Sequence, residues 1–530
     1  MLGLSRICFV LGVIYLVSAA ATFIQNRFMV SIAQTTSTAI RKDLFYNMQK
    51  LPLNYFDTHS SGDLMSRFTN DVDNINMTLS QSITQLFSGI INIVGMFIAM
   101  MLLSPLLTLI GMITILLLLI ITKLIVKKTQ PYFVKQQKEL GNLNSYIEEM
   151  ISGQKAVLLF SQEDKVKKEF SIINGRLTRS AIFAQALSGC MGPVSNFINN
   201  ITYLILAVCG GYFIISGMNI TIGILFTFIL YMRSFSRPIN EILNIFNLIQ
   251  SALAGAERVF EVMDESKEED SKEAKTIETI KGEVSLSKVD FSYIQGIQIL
   301  KNISIEAKRG QTIAIVGPTG SGKTTIINLL TKFYNIDSGE ITFDGENINN
   351  IKKGSLRKSI SIVLQDTFLF SESVSENIRY GRLTATDKEV QEAAELADAH
   401  HFIRQLPEGY NTILSDNGSN LSQGQRQLLA IARAILAQSS ILILDEATSS
   451  VDTRTEIAIQ KAMLNLMKGK TTFVIAHRLS TIRNSNQIIA IKDGEIIESG
   501  THDELLKKQG FYSNLYNSQF AGFNSYRECS

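Results

Sequence analysis

The sequence contains no tryptophan, four cysteines, seven prolines and five histidines in 530 residues. Each scarcity excludes something. Cys8, Cys190, Cys209 and Cys529 are far apart and form no CxxC pair, so neither a disulfide framework nor a cysteine metal site is expected, and all four read as free thiols. Without tryptophan, an aromatic belt at a membrane surface has to be built from tyrosine and phenylalanine. The few prolines leave long stretches free to be helical. An excess of one charge is also missing: the net charge is +2, which offers no electrostatic basis for binding nucleic acid.

Apolar residues are plentiful and unevenly spread. A helix crossing a bilayer needs about 20 of them in succession. Five stretches of the first half qualify: 7–24, 83–103, 106–126, 194–216 and 220–242. The second and third are joined around Ser104-Pro105, and the fourth and fifth by the uncharged SGMNIT. The long connections carry the cations: Arg27, Lys50 and Arg67 in the first, Lys123 through Lys138 in the second. Arg233 and Arg237 stand toward the end of the last span. Lys and Arg bias puts these long loops in the cytoplasm and the short ones outside. The first span then runs from outside to inside, which points to a chain lacking an earlier transmembrane helix. The alternative is a signal peptide over residues 1–25, with Ser18-Ala19-Ala20-Ala21 as its cleavage-like run.

Each long loop is helical in periodicity, and two legs of about 25 residues reach about 35–40 Å below the membrane. Their turning points, FDTHSSGDLMSR (56–67) and ISGQKAVLLFSQED (151–164), are polar and turn-prone. They read equally as docking elements or as solvated loops. Further on, MDESKEEDSKEAKTIE (263–278) is highly charged and almost devoid of apolar residues, so an exposed connector is expected there.

The second half reads as a soluble α/β domain. In TIAIVGPTGSGKTTIINLL (312–330) a short β-branched strand, a glycine loop and a helix follow one another, and Gly317 to Thr324 fit G-x-x-x-x-G-K-[ST]. Gly320 and Gly322 allow backbone N–H groups to curl around phosphate oxygens, and the helix N-terminus adds positive potential. Lys323 has the reach for the β- and γ-phosphates, and Thr324 suits Mg2+. The whole loop, Gly317-Pro318-Thr319-Gly320-Ser321-Gly322 with Lys323, Thr324 and Thr325, is the expected nucleotide cradle. A second apolar strand, SILILDEATS (440–449), ends in Asp445-Glu446. Asp445 suits the Mg2+ shell, and Glu446 suits the orientation or deprotonation of an attacking water. For an isolated pair, helix capping is the competing reading.

With these motifs in order along the chain, the sequence resembles a half-transporter of the ATP-binding cassette (ABC) superfamily, exporter type, over nearly its whole length. The resemblance implies a membrane all-α domain of about five transmembrane helices with long cytoplasmic extensions, followed by an α/β P-loop ABC ATPase domain. Residues 1–260 would form the first, 261–281 the charged linker, 282–520 the second and 521–530 a tail. It implies that Tyr293 in VDFSY stacks on adenine, that Gln365 in VLQD senses Mg2+ and the membrane domain, and that His477 in VIAHRLS contacts the γ-phosphate. LSQGQ matches the family signature, so Ser422, Gln423, Gly424 and Gln425 would cap ATP held by an opposing domain. Ser449-Ser450-Val451-Asp452 resembles the loop crossing that interface, and the stretches 56–67 and 151–164 correspond to the two coupling regions.

A signature that serves the other chain's P-loop implies a dimer. Gln423 stands where the family usually has glycine, which resembles heterodimeric bacterial exporters with one weak ATP site. An unlike second half-transporter is therefore expected, a homodimer being the alternative. Asp416-Asn417-Gly418 departs from the usual glutamate and glycine before the signature. The implied function is ATP- and Mg2+-dependent export of a hydrophobic or amphipathic molecule, a drug or lipid, across the bacterial cytoplasmic membrane. The nucleotide domain would lie in the cytoplasm. An ATP-gated regulator of the same architecture that does not pump is the second reading.

Overall fold

A computed structural model describes residues 2–218, 220–365, 367–445, 453–475 and 479–524. The chain divides into two compact units, Met1–Gln49 with Ser61–Glu265, and Lys50–Ser60 with Ser266–Ser530.

Among the described residues the first unit is entirely helical. Its long helices are α1 (Leu2–Met48), α2 (Ser61–Leu103), α3 (Pro105–Ser152), α4 (Glu163–Ile215, with a break at Cys190) and α5 (Ile222–Asp264). The first four are long and apolar enough to cross a membrane, and the apolar described part of α5 covers Ile222–Ser236. The five expected spans thus fall on five helices. Local chemistry starts two of them. Ser104 accepts a hydrogen bond from the Leu107 N–H with Pro105 as first helical residue, and Thr221 caps α5 by accepting from Ile224 N.

Met100, Leu107, Leu206, Phe228 and Met232 bury the seam between α2, α3, α4 and α5. Gly210 lets α4 and α5 touch: a Cβ there would lie 2.3 Å from Leu225 Cδ1. Below the apolar spans, α2 carries two π turns, Arg67–Asp71 and Thr78–Ser82. There the buried Asp71 carboxylate accepts from Arg258 Nε of α5 at 3.0 Å.

The second unit has two sheets. Strands β1 (Val284–Ile294), β2 (Ile297–Ala307), β4 (Ser338–Phe343) and β5 (Glu346–Asn347) make an antiparallel sheet in the order β2-β1-β4-β5. Strands β3 (Thr312–Val316), β6 (Ile360–Val363), β7 (Ile441–Asp445), β8 (Thr471–Ile475), β9 (Gln487–Lys492) and β10 (Glu495–Gly500) run in the order β10-β9-β3-β8-β7-β6. All pairs of this second sheet are parallel except β10 with β9. Its strands β3, β7 and β8 are buried on both faces because each face is covered. One core holds Leu300, Ile303, Ile326 and Phe343; the other holds Leu428, Ile431, Ile459 and Leu466.

The charged stretch 263–278 is exposed along most of its length and is anchored at particular points. Glu268 takes two hydrogen bonds from Arg357, at 3.0 and 2.6 Å, and Arg357 Nη2 also donates to Lys332 O. Lys353 donates through its N–H to Asp270 and through Nζ to Glu269 O, while Ala274 is buried. Charge in the sequence marked polarity, but these groups have partners some eighty residues away.

Candidate functional site

Strand β3 lies in the interior of the parallel sheet and delivers the glycine loop at its C-terminal end, where such sheets bind ligands. Two glycines are required there. A Cβ on Gly317 would stand 2.2 Å from Ile491 O, and Gly322 has φ +100° with Leu300 Cδ2 only 2.5 Å from any added Cβ. Gly322 caps helix α6 (Lys323–Leu330), whose first N–H groups open toward the loop. Lys323 is 9% exposed, and its ammonium folds back to donate to Gly317 O at 2.9 Å and Pro318 O at 2.7 Å. Burial lowers its pKa and the nearby Asp445 carboxylate opposes that. Ser321 Oγ is buried with no hydrogen-bond partner, while Pro318, Thr319, Gly320 and Thr324 are exposed and Thr325 is buried. The loop therefore presents one buried cation, one unused hydroxyl and open backbone, a donor set suited to phosphate.

Asp445 is the last residue of β7. It is level with Ile475 of β8, which is level with Ile315 of β3. At about 4.8 Å per strand the carboxylate is on the order of 10 Å across the sheet edge from the loop. Gln365 follows β6 at the same edge and is exposed. Thr324, Gln365 and Asp445 thus share one side of the sheet, with oxygen atoms of the kind Mg2+ selects.

Tyr293, at the end of β1, is 43% exposed. Its hydroxyl donates to Thr325 Oγ1 at 3.3 Å and accepts from Asn328 Nδ2 at 3.1 Å, which ties the ring to α6. Phe291 and Tyr334 stand edge-on to it, with centroids 4.8 and 4.9 Å away. The Tyr334 hydroxyl donates to Asp57 in the short helix Leu53–Thr58. So the segment 50–60 of the first long loop packs within the nucleotide-domain unit, beside the expected adenine platform.

The segment GSNLSQGQRQ opens helix α7 (Gln423–Leu436). Ser422 is its N-cap: Oγ accepts from Gln425 N at 3.2 Å and Gln425 Oε1 accepts from Ser422 N at 2.9 Å, a reciprocal capping box. That uses the acceptor side of the Ser422 hydroxyl and leaves its O–H free to donate. Ser422 is exposed, Gln423 is half-buried and Gly424 is buried. The expected roles of Glu446 and His477, and the segment Ser449-Ser450-Val451-Asp452, lie outside the described residues.

Sequence reasoning missed the residues that hold this helix to the Gln365 segment. Asn417, at φ +50°, accepts from Leu369 N. Arg433 donates to Asn377 O and Phe368 O with its guanidinium over the Phe370 and Tyr380 rings. An arginine inside the apolar run LLAIARAIL was the available signal; its partners are 56 and 65 residues away.

A helical membrane unit joined to a P-loop unit whose helix α7 begins with a signature-type cap defines an ABC-type ATPase coupled to a membrane domain. Comparison with known proteins agrees. The family model for the ABC transporter transmembrane region matches residues 3–239, and that for the ABC transporter matches 300–449. The ABC transporter ATP-binding protein YfiC of Bacillus subtilis (strain 168) is 46% identical, over 98% of this chain and 86% of its own length. A fatty acid ABC transporter ATP-binding/permease protein of Mycobacterium bovis is 42% identical, over 95% of this chain and 79% of its own. A bacterial Atm1-family ABC exporter solved with ATP bound superposes with a TM-score of 0.76 at 27% identity, covering 93% of this chain and 87% of that one. The chain belongs to the ABC transporter superfamily, as an exporter-type half-transporter: a multi-pass membrane protein that binds ATP and couples its hydrolysis to transport.

Proposed function

We propose that this chain is one half of a dimeric pump that moves an amphipathic or hydrophobic molecule, of lipid or fatty-acid type, outward across the bacterial cytoplasmic membrane. The observation that carries the ATP chemistry is Lys323, buried and folded onto its own loop carbonyls, with Asp445 acting on it electrostatically. In this reading an incoming phosphate replaces those carbonyls as the partner of Lys323. Thr324, Gln365 and Asp445 hold Mg2+, and Tyr293 stacks on the adenine. Glu446 positions the attacking water, and Lys323 and His477 stabilise the charge that develops on the γ-phosphate.

The partner supplies what one chain lacks. Ser422, whose O–H is free, and the N-terminus of α7 point the reading to a phosphate held on the opposing subunit. Exposed apolar side chains at the second turning point, Leu159 at 78% and Phe160 at 69%, suit docking onto a second subunit. Gln423 in place of glycine supports an unlike partner, with this chain's P-loop in the stronger site. The substrate class rests on the name of the mycobacterial relative and on spans with few ionisable groups. Steady-state ATP hydrolysis by the purified transporter tests the assignment. Lys323→Ala and Glu446→Gln should each lower turnover by about 100-fold or more, and Glu446→Gln should retain bound ATP. Near-normal turnover in either variant removes that residue from the mechanism.

A further inference from the structure

At the end of β1 three rings of the nucleotide unit pack against one another. Tyr293 is nearly perpendicular to Phe291 and to Tyr334, at 86° and 90°, and the Phe291 and Tyr334 centroids are 5.7 Å apart. A ring on which a base stacks must hold its plane. Thr325 and Asn328 fix the Tyr293 hydroxyl to α6. Bonds at that end leave the ring free to turn about its own long axis. Perpendicular neighbours remove this freedom, because an edge-to-face contact is lost when either ring turns. Phe291 is 2% exposed and is held by the core. Tyr334 packs against the same core but is only half-buried.

Asp57 supplies the remaining anchor. The Tyr334 hydroxyl donates to its carboxylate, which among the described residues has no cation partner. A tyrosine serving the core alone has no use for its hydroxyl, and here that hydroxyl reaches the segment 50–60. The acid stands on a built element. Leu51 and Tyr55 are buried, Lys50 O accepts from Glu268 N at 2.7 Å, and His59 stacks on Tyr55 with centroids 4.2 Å apart at the end of the short helix Leu53–Thr58. Contact therefore runs from Asp57 through Tyr334 to the exposed ring of Tyr293.

We propose that Tyr334, anchored by Asp57, is a positioning residue for the adenine of ATP: it holds the plane of Tyr293 and sets how much of the affinity comes from the base. This rests on the reading of Tyr293 as the adenine-stacking ring. Stacking of a base on an aromatic ring is worth about five- to 150-fold in affinity, and one edge-to-face contact about two- to tenfold. Loss of Tyr334 should therefore remove part of what the base contributes.

The whole transporter, with whatever subunit co-purifies, would be titrated with Mg·ATP and with magnesium tripolyphosphate, which carries phosphates but no base. Hydrogen exchange of the peptide spanning Gly317–Thr324, read by mass spectrometry, reports binding to this chain alone. Tyr334→Leu should weaken ATP binding by about three- to tenfold and leave tripolyphosphate within about twofold. Tyr334→Phe and Asp57→Ala should each weaken ATP by about threefold, and the two together by no more than either, because both break one bond. By linkage, ATP but not tripolyphosphate should slow exchange in residues 50–60. Unchanged ATP affinity in Tyr334→Leu, or an equal loss for both ligands, overturns the proposal. Additive losses in the Asp57 and Tyr334 pair, or equal protection of 50–60 by the two ligands, do the same. Tyr293→Ala separates the two claims. If it weakens ATP selectively and Tyr334→Leu does not, the adenine platform stands and the positioning role falls; if it spares ATP, both fall.

Discussion

The two units of this chain solve opposite packing problems with similar residues. In the helical unit the apolar side chains face outward: Leu16 on α1 is 73% exposed, and none of the apolar window of that helix is buried. In the nucleotide unit they face inward: Leu444 on β7 is 1% exposed, between Val363 and Val474 on its neighbours. The difference teaches what apolar runs mean. A run of about 20 residues on one helix is an adaptation to lipid, whereas a run of four on a parallel strand is a wall of a core. Polar groups invert in the same way. The helical unit confines Asp71 and Arg258 beyond its spans, while the nucleotide unit buries Lys323 at the mouth of its sheet.

The sharpest way to break this comparison is one substitution made twice. Leu444→Arg puts a charge into the closed sheet and should cost more than about 5 kcal/mol, leaving no folded nucleotide unit and no ATP hydrolysis. Leu16→Arg should cost about 2.5–3.5 kcal/mol of membrane insertion, because the residue faces the bilayer and not a core. Fractionation of membranes and protease resistance of the nucleotide unit measure the two. Equal effects would mean that the units do not differ as described.

A smaller test sharpens the polar half. Burial alone would raise the Glu268 carboxyl, but the hydrogen bonds and charge of Arg357, with Lys353, outweigh it and hold the pKa below the ordinary 4.5. The unfolded chain therefore binds this proton more readily than the folded one. The contribution is fully present above about pH 4.5 and is lost as pH falls through the lowered folded value. Glu268→Gln should cost about 1–2 kcal/mol at neutral pH. The gap between the two melting curves should close as the pH drops below 4.5; a gap constant over that range would remove the ion pair as its cause.

What could be read from the sequence follows from range. The spans, the loop at Gly317–Thr324 and the Asp445 strand end are each local in the chain, so spacing alone placed them on a helix, a turn or a strand edge, whereas the LSQGQ cap came from the family resemblance. Other features depend on partners distant in sequence. Asp57 meets Tyr334, Glu268 meets Arg357, and Asn417 meets Leu369. No periodicity encodes those meetings. The stretch 263–278 is exposed along most of its length, as its charge implies, but the distant partners of Glu268 and Asp270 could not be read from it for this reason.

The central claim is that ATP turnover at this P-loop drives an amphiphile outward, and vesicle transport tests it most directly. The transporter would be reconstituted with its co-purifying subunit in inside-out vesicles, and accumulation of a fluorescent fatty acid followed on adding Mg·ATP. Accumulation should require ATP and be abolished by Lys323→Ala and by Glu446→Gln. Hydrolysis that proceeds with no movement of that fatty acid, or of a fluorescent phospholipid tried beside it, contradicts the amphiphile reading; transport that survives Lys323→Ala contradicts the account altogether.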